Sequence, residues 1–158
     1  MIGTVGSEEK AGIARAHGCD HCILYREEDL VARVREITQG RGVPVVYDGV
    51  GKATWEPSLD CLAPRGLMVS FGNASGKVPP VELDALTSRG SLFLTRPRLM
   101  SYTADTQELR ESAAALFELV LAAKIRIEIN QRYPLAQAAE AHRVLEARRT
   151  TGSTVLSV

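Results

Sequence analysis

Cysteine, histidine and aromatic residues are scarce in this chain of 158 residues: three Cys, three His, three Phe, four Tyr and one Trp. Cys19, Cys22 and Cys61 are too few, and odd in number, for a disulfide framework, which points to a reducing, cytoplasmic compartment. An excess of charge is also missing: 19 basic residues balance 19 acidic ones, so no global field favours nucleic acid or an anionic membrane. No apolar run approaches the roughly 20 residues that a membrane-spanning helix needs. The start, MIGTVGSEEK, has neither the basic beginning nor the apolar middle of a signal peptide. What remains is ordinary for a globular chain: 45% hydrophobic and 24% charged residues, enough for one domain with a real core.

The hydrophobic pattern alternates between short β-type runs and helical stretches. Strands are expected at residues 1–5, 21–25, 43–47, 66–71, 92–95, 125–129 and 153–158. Helices are expected at 8–16, 28–38, 81–88, 106–123 and 135–148, with another around Trp55, Leu59 and Leu62. Ser7 is placed to cap the first helix, and Gly18 to end it. The helix at 106–123 carries a broad apolar stripe: Leu109, Ala113, Leu116, Phe117, Val120 and Leu121. Strand and helix in regular succession imply an α/β fold, a Rossmann-like doubly wound parallel sheet. The turn G-x-G-x-x-G that opens such a sheet in dinucleotide-binding domains is absent, so the fold is expected to lack its first strand and glycine-rich turn.

Residues 66–76, GLMVSFGNASG, are the most informative run. A buried strand breaks there into small residues and amides, where backbone can approach a ligand closely. In an open parallel sheet, ligands sit just past the carboxyl ends of the strands.

Four segments, IGTVGSEEKAGIARAHGCDHCILYREEDL, VVYDGVGKATWEPSLDCL, RGLMVSFGNASGKV and SLFLTRPRLMSY, together with the tail YPLAQAAEAHRVLEARRTTGSTVL, resemble one family. It is that of the zinc-free medium-chain dehydrogenases/reductases, in particular the zeta-crystallin-like NADPH:quinone oxidoreductases. The resemblance runs over essentially the whole chain. It implies a partial NADPH-binding domain at residues 1–124. Residues 125–158 would form a strand–helix–strand returning toward a catalytic domain that precedes this chain in the family. The implied activity is hydride transfer from NADPH to a quinone or related enone, with a homodimer formed through the edge strand at Leu92 to Thr95.

The resemblance also assigns residues. Gly6, Ser7 and Lys10 match positions that bind the 2′-phosphate of NADPH, and Tyr25 matches a contact to the same end. From the pattern alone, a helix cap and a solvated Lys are the simpler reading. The end of the first strand carries no carboxylate of the kind that NAD enzymes offer to the ribose. Val50 neighbours the cofactor; Phe71, Gly72 and Asn73 pass the nicotinamide and its ribose; Thr95 faces the carboxamide. Arg148 reaches the cofactor in the family, while the bland alternative is a cation at a helix C-terminus.

Asp48 is an isolated candidate for a general base, but hydride delivery needs none, and a structural strand-end role is preferred. No residue is assigned as catalytic and none as a metal ligand. Cys19 and Cys22 have the spacing of half a zinc site without a second half. The rival readings are an enoyl or alkenal reductase, a non-catalytic nucleotide-binding or dimerisation module, and an α/β domain of methyltransferase type.

Overall fold

The computed structural model describes all residues, 1–158. The chain divides into two compact units, Met1–Ser101 and Tyr102–Val158.

The first unit opens with β1 (Ile2–Val5), α1 (Glu8–Ala16), β2 (His21–Leu24) and α2 (Leu30–Ile37). Both helices begin on a side-chain cap. The Ser7 hydroxyl accepts from the Lys10 N–H at 3.4 Å, and the Asp29 carboxylate accepts from the Ala32 N–H at 2.9 Å. Then follow β3 (Val43–Asp48), α3 (Trp55–Asp60), β4 (Leu62–Ser70), α4 (Asp84–Thr87), β5 (Phe93–Thr95) and α5 (Leu99–Tyr102). All strand pairs are parallel, as the alternation of strand and helix requires.

The sheet is not continuous. β1 pairs only with β2, while β3, β4 and β5 form a separate three-stranded sheet in that order. One helix spans the break. The apolar face of α2, with Leu30, Val31, Val34 and Ile37, packs on Ile2 and Ile23 of one sheet and on Val43 and Val46 of the other. A second core cluster lies under β4: Trp55, Leu59, Leu62, Met68 and Leu92. Arg35 ties the two regions by donating to the carbonyls of Gly40, Asp60 and Leu62 at 2.9, 2.7 and 3.2 Å.

Several boundaries depart from the sequence reading. Leu62 belongs to β4, not to the preceding helix, and β4 begins four residues before the expected Gly66. The register explains this. Val43 pairs with Leu62 and Val45 with Leu67, so residues 63–66 bulge opposite Pro44 alone. Pro64 and the left-handed Arg65 (φ 61°) disguise the strand as a turn. The helix expected at 81–88 shrinks to α4, because prolines 79 and 80 and the loop before it hold an extended path.

The second unit contains α6 (Thr106–Leu121), β6 (Ile129–Pro134), a 3-10 turn (Leu135–Gln137), α7 (Ala138–Glu146) and β7 (Ser153–Ser157). Asp105 caps α6 by accepting from the Gln107 and Glu108 N–H groups at 2.7 and 3.4 Å. β6 and β7 are parallel and joined through α7, a right-length βαβ crossover. The strand expected at 125–129 instead starts at Ile129, because pairing with β7 sets its register and extends it to Pro134. The apolar stripe of α6 has the expected period, but no residue of the helix is buried and Phe117 is 62% exposed. Periodicity reveals which face is apolar, not whether anything covers it.

Met68 is fully buried at the centre of the first unit's larger core cluster. Met68→Ala is expected to lower unfolding free energy by about 2–5 kcal/mol in urea denaturation. A loss below about 1 kcal/mol would mean that this cluster is not what holds β4 in place.

Candidate functional site

The strands of the first unit end at one edge, and the residues singled out from sequence gather there in two groups. The first lies past β1 and β2. A Cβ on Gly6 would meet the Tyr25 hydroxyl at 2.9 Å, so the absence of a side chain at Gly6 makes room for the ring. Ser7 caps α1 through the N–H of Lys10, which places the hydroxyl and the lysine one helical turn apart on the same end. The Arg26 guanidinium stands 5.9 Å from the Tyr25 ring centroid, adding a second cation. The first carboxylate after β1, Glu8, is engaged by Arg15 at 2.6 Å. This end thus offers donors from Ser7, Lys10, Tyr25 and Arg26, set among the acidic residues Glu8, Glu9, Glu27 and Glu28.

The second group lies past β3 and β4, where two loops pack backbone against backbone. A Cβ on Gly72 would lie 2.2 Å from the Gly49 carbonyl oxygen, and one on Gly51 (φ 90°) would lie 2.7 Å from that of Gly76. Only glycine permits either approach. Hydrogen bonds stitch the loops: Phe71 N–H to the Asp48 carbonyl (2.9 Å), Ser75 N–H to that of Val50 (2.8 Å) and Lys52 N–H to that of Gly76 (3.1 Å). The Ser75 hydroxyl donates to the Val50 carbonyl and accepts from the Ala53 N–H. Val50, Phe71 and Asn73 are left exposed at the rim. Thr95, paired with Val69, ends β5 on the same edge.

Asp48 organises this second group. Its buried carboxylate accepts from the N–H groups of Val50 and Gly51 at 2.7 and 2.9 Å, and from the hydroxyls of Thr54 and Ser58 at 2.6 and 2.7 Å. Burial pushes this carboxyl upward, but the bonds from Thr54, Gly51, Ser58 and Val50 outweigh it and hold the group below the ordinary carboxylate range. Such an ion has no lone pair to spare and is a poor proton acceptor, in agreement with the structural role preferred for it. Its signal is local in sequence: Asp, then two N–H groups two and three residues on, then Thr and Ser at six and ten.

Sequence reading missed Arg96. Its guanidinium donates to the Ser70 hydroxyl at 3.1 Å and to the Gly72 carbonyl at 3.2 Å. With its amide oriented by its neighbours, Asn73 donates to the Gly72 carbonyl (2.8 Å) and accepts from Arg96 (3.1 Å). Arg96, Lys77, Trp55, Asn73 and Leu94 line a cleft of about 330 Å³ with no acidic residue in its wall. Arg148 lies in the second unit, left-handed (φ 59°) just after α7.

The cysteines divide between two places. Cys19 and Cys22 lie under α1, with their thiols against the carbonyls of His21 (3.2 Å) and Ala11 (3.6 Å). Cys61 sits in the α2 core cluster, where burial pushes its thiol up to about 11. No group of three or more His, Cys, Asp or Glu side chains is placed to hold a metal ion.

Comparison with known proteins gives one family. The family of zinc-binding dehydrogenases matches residues 17–156. A quinone oxidoreductase of Pseudomonas aeruginosa is 58% identical over 156 residues, covering 99% of this chain and 48% of that protein. A 2-haloacrylate reductase of a Burkholderia species is 46% identical over 157 residues, with 99% and 47% covered. The crystal structure of Escherichia coli quinone oxidoreductase complexed with NADPH superposes with a TM-score of 0.95 at 51% identity, over 99% of this chain and 49% of that one. The chain thus spans about half the length of the relatives it matches.

Two expectations follow from the geometry. Asp48→Ala strands four donors and should cost about 2–4 kcal/mol of stability, whereas Asp48→Asn, which keeps an acceptor, should cost about half of that. Because the folded-state pKa is depressed, the stabilisation by Asp48 is present above its unfolded value, near 3.9. It fades as pH falls through the folded value. Urea melts of wild type and Asp48→Asn should accordingly converge below about pH 4, and a constant gap down to pH 2 would show that the charge contributes nothing. Gly72→Ala, with its Cβ 2.2 Å from a carbonyl oxygen, should destabilise by more than about 1 kcal/mol in the same assay.

Proposed function

Since the chain belongs to the zinc-binding dehydrogenase family, we propose that it is the cofactor-binding part of an NADPH-dependent quinone oxidoreductase. The observation that carries this reading is the set of donors past β1 and β2. There the Tyr25 hydroxyl fills the space left by Gly6, Ser7 caps the helix that carries Lys10, and Glu8 is engaged by Arg15. A 2′-phosphate fits such an end, because it offers several acceptor oxygens to a hydroxyl, a phenol and a cation. An unphosphorylated ribose would gain from a carboxylate instead.

The second group takes the other end of the cofactor. The glycine-on-glycine packing of Gly49 with Gly72 leaves a rim of backbone, flanked by Val50, Phe71 and Asn73, against which a flat ring can lie. Thr95 closes that rim on the β5 side, and Arg148 is assigned to the cofactor by family resemblance. When bound, the dihydronicotinamide supplies hydride; the residues of this chain bind and orient it and exclude water from one face. Asp48, its acceptor capacity filled, is not the group that takes or gives a proton. The substrate is a quinone, and the working molecule is a cytoplasmic homodimer paired through β5, whose Phe93 is 62% exposed on a free edge.

One observation favours a second substrate class. The cleft beside Asn73 carries Arg96 and Lys77 and no acid, which suits an α,β-unsaturated acid of the haloacrylate type.

Titration of the Trp55 and tyrosine fluorescence with NADPH and with NADH tests the cofactor assignment. NADPH is expected to bind at least about tenfold more tightly, and Lys10→Ala to remove that preference while leaving NADH unaffected. Equal affinities in the wild type would overturn it.

A further inference from the structure

Two thiols meet beneath α1, and the backbone brings them together. Gly18 (φ 89°) follows the helix in the left-handed conformation, and the next N–H, that of Cys19, returns to the Ala14 carbonyl at 3.0 Å. Cys19 is thereby folded back under the helix that precedes it. Cys22 lies in β2, in register with Gly3 of β1, and residues paired in this way direct their side chains to the same face of the sheet. Gly3 has no side chain to direct there. A Cβ on it would lie 2.9 Å from the Cys19 sulfur, so that sulfur takes the place of a β1 side chain, about one strand spacing (about 4.8 Å) from Cys22.

The two thiols are hydrogen-bonded to each other. Cys19 also donates to the His21 carbonyl at 3.2 Å, and Cys22 to the Ala11 carbonyl at 3.6 Å. No third His, Cys, Asp or Glu joins them to make a metal site, so the chemistry open to the pair is that of a dithiol. Their exposures differ. Cys19 is buried, whereas Cys22 is only half-buried and meets a reagent first. Burial, and then the bond to Cys19, push the Cys22 thiol upward, so the pair rests as thiols and reacts through its small thiolate fraction.

We propose that Cys19 and Cys22 form a redox-modification site, at which hydrogen peroxide converts the two thiols into one intramolecular disulfide. The Cys22 sulfur attacks one peroxide oxygen and the O–O bond breaks. Cys22 becomes a sulfenic acid, and its thiol proton leaves with the other oxygen as water. The Cys19 sulfur then attacks the sulfenic sulfur. An S–S bond forms, the S–O bond breaks, and the Cys19 proton leaves with the hydroxyl as a second water. Two electrons have passed from the thiols to the peroxide, and a dithiol reductant returns them. The inference does not rest on the cofactor reading, so its test omits cofactor.

The test is peroxide treatment of the folded, reduced 158-residue chain, followed by alkylation, trypsin and mass spectrometry. Cleavage after Arg15 and Arg26 leaves both cysteines in residues 16–26, apart from Cys61. That peptide is expected unalkylated and about 2 Da lighter than its reduced form, and dithiothreitol should restore it. Of the three free thiols, Cys61 should remain to be alkylated. Cys19→Ala should leave Cys22 as a sulfenic acid that dimedone traps, whereas Cys22→Ala should leave Cys19 reduced. If circular dichroism shows Cys19→Ala unfolded, Cys19→Ser takes its place. At equilibrium with reduced and oxidised glutathione, the native pair should hold its disulfide at least about tenfold more firmly than the urea-unfolded chain, because the fold keeps the sulfurs adjacent. The proposal is overturned if wild-type Cys22 stops at sulfenic or sulfinic acid, or if the disulfides formed join separate chains. Equal glutathione equilibria in the native and unfolded chains would overturn it as well.

Discussion

The carboxylate of Asp48 is the constraint on which the candidate site depends. A buried anion is tolerated only where its lone pairs are filled, and here two backbone N–H groups and two hydroxyls fill them. Those four donors come from the turn after β3 and from the start of α3. One ion thus fixes the path of residues 48–58 and, with it, the position of Gly49. Gly49 in turn is the surface on which Gly72 rests. The loop after β4 then has little freedom, since Arg96 donates to its Gly72 carbonyl and the Ser75 hydroxyl ties it to the Val50 carbonyl of the loop after β3. A rim made of backbone is rigid because its parts are covalently and hydrogen-bonded in place, and it asks of side chains mainly that they be absent.

That construction explains what the sequence revealed. The run at residues 66–76 was legible as a place of close backbone approach, because its glycines and amides are unusual after a buried strand, and the packing of Gly72 on Gly49 bears that out. Ser7 was legible as the cap of α1, and the structure bears that out, whereas the cofactor role of Gly6, Ser7 and Lys10 came only with the family resemblance. Tyr25 was joined to them by family resemblance, and its ring does fill the space over Gly6. Arg96 was not legible, because a lone arginine before a proline says nothing about which carbonyls it will meet 24 residues away. The bulge of β4 was hidden for a related reason. Pro64 and Arg65 are locally turn-like, and only pairing with β3 shows that a strand passes through them. The exposed stripe of α6 makes the complementary point: amphipathic period is a local property, whereas burial is a property of neighbours.

The discontinuity of the sheet belongs to the same logic. A parallel sheet is normally buried on both faces and continuous, with edges protected by charge, twist or cover. Here the two innermost edges lack a ladder partner, although a single helix face already spans them. The core beneath is built for one sheet while the ladder above is split into two. Cohesion between the halves thus falls to α2 and to Arg35, which reaches from the end of that helix to the carbonyls of Asp60 and Leu62.

The two residue groups of the candidate site stand on opposite sides of this break, Ser7, Lys10 and Tyr25 beyond β1 and β2, and Val50, Gly72 and Asn73 beyond β3 and β4. Any ligand that touches both must cross the break at the carboxyl edge. Both groups stand on sheets that share a single helix floor, so that floor sets the distance the ligand must span. Whatever ordering α2 and Arg35 supply between the two sheets, the ligand need not supply again.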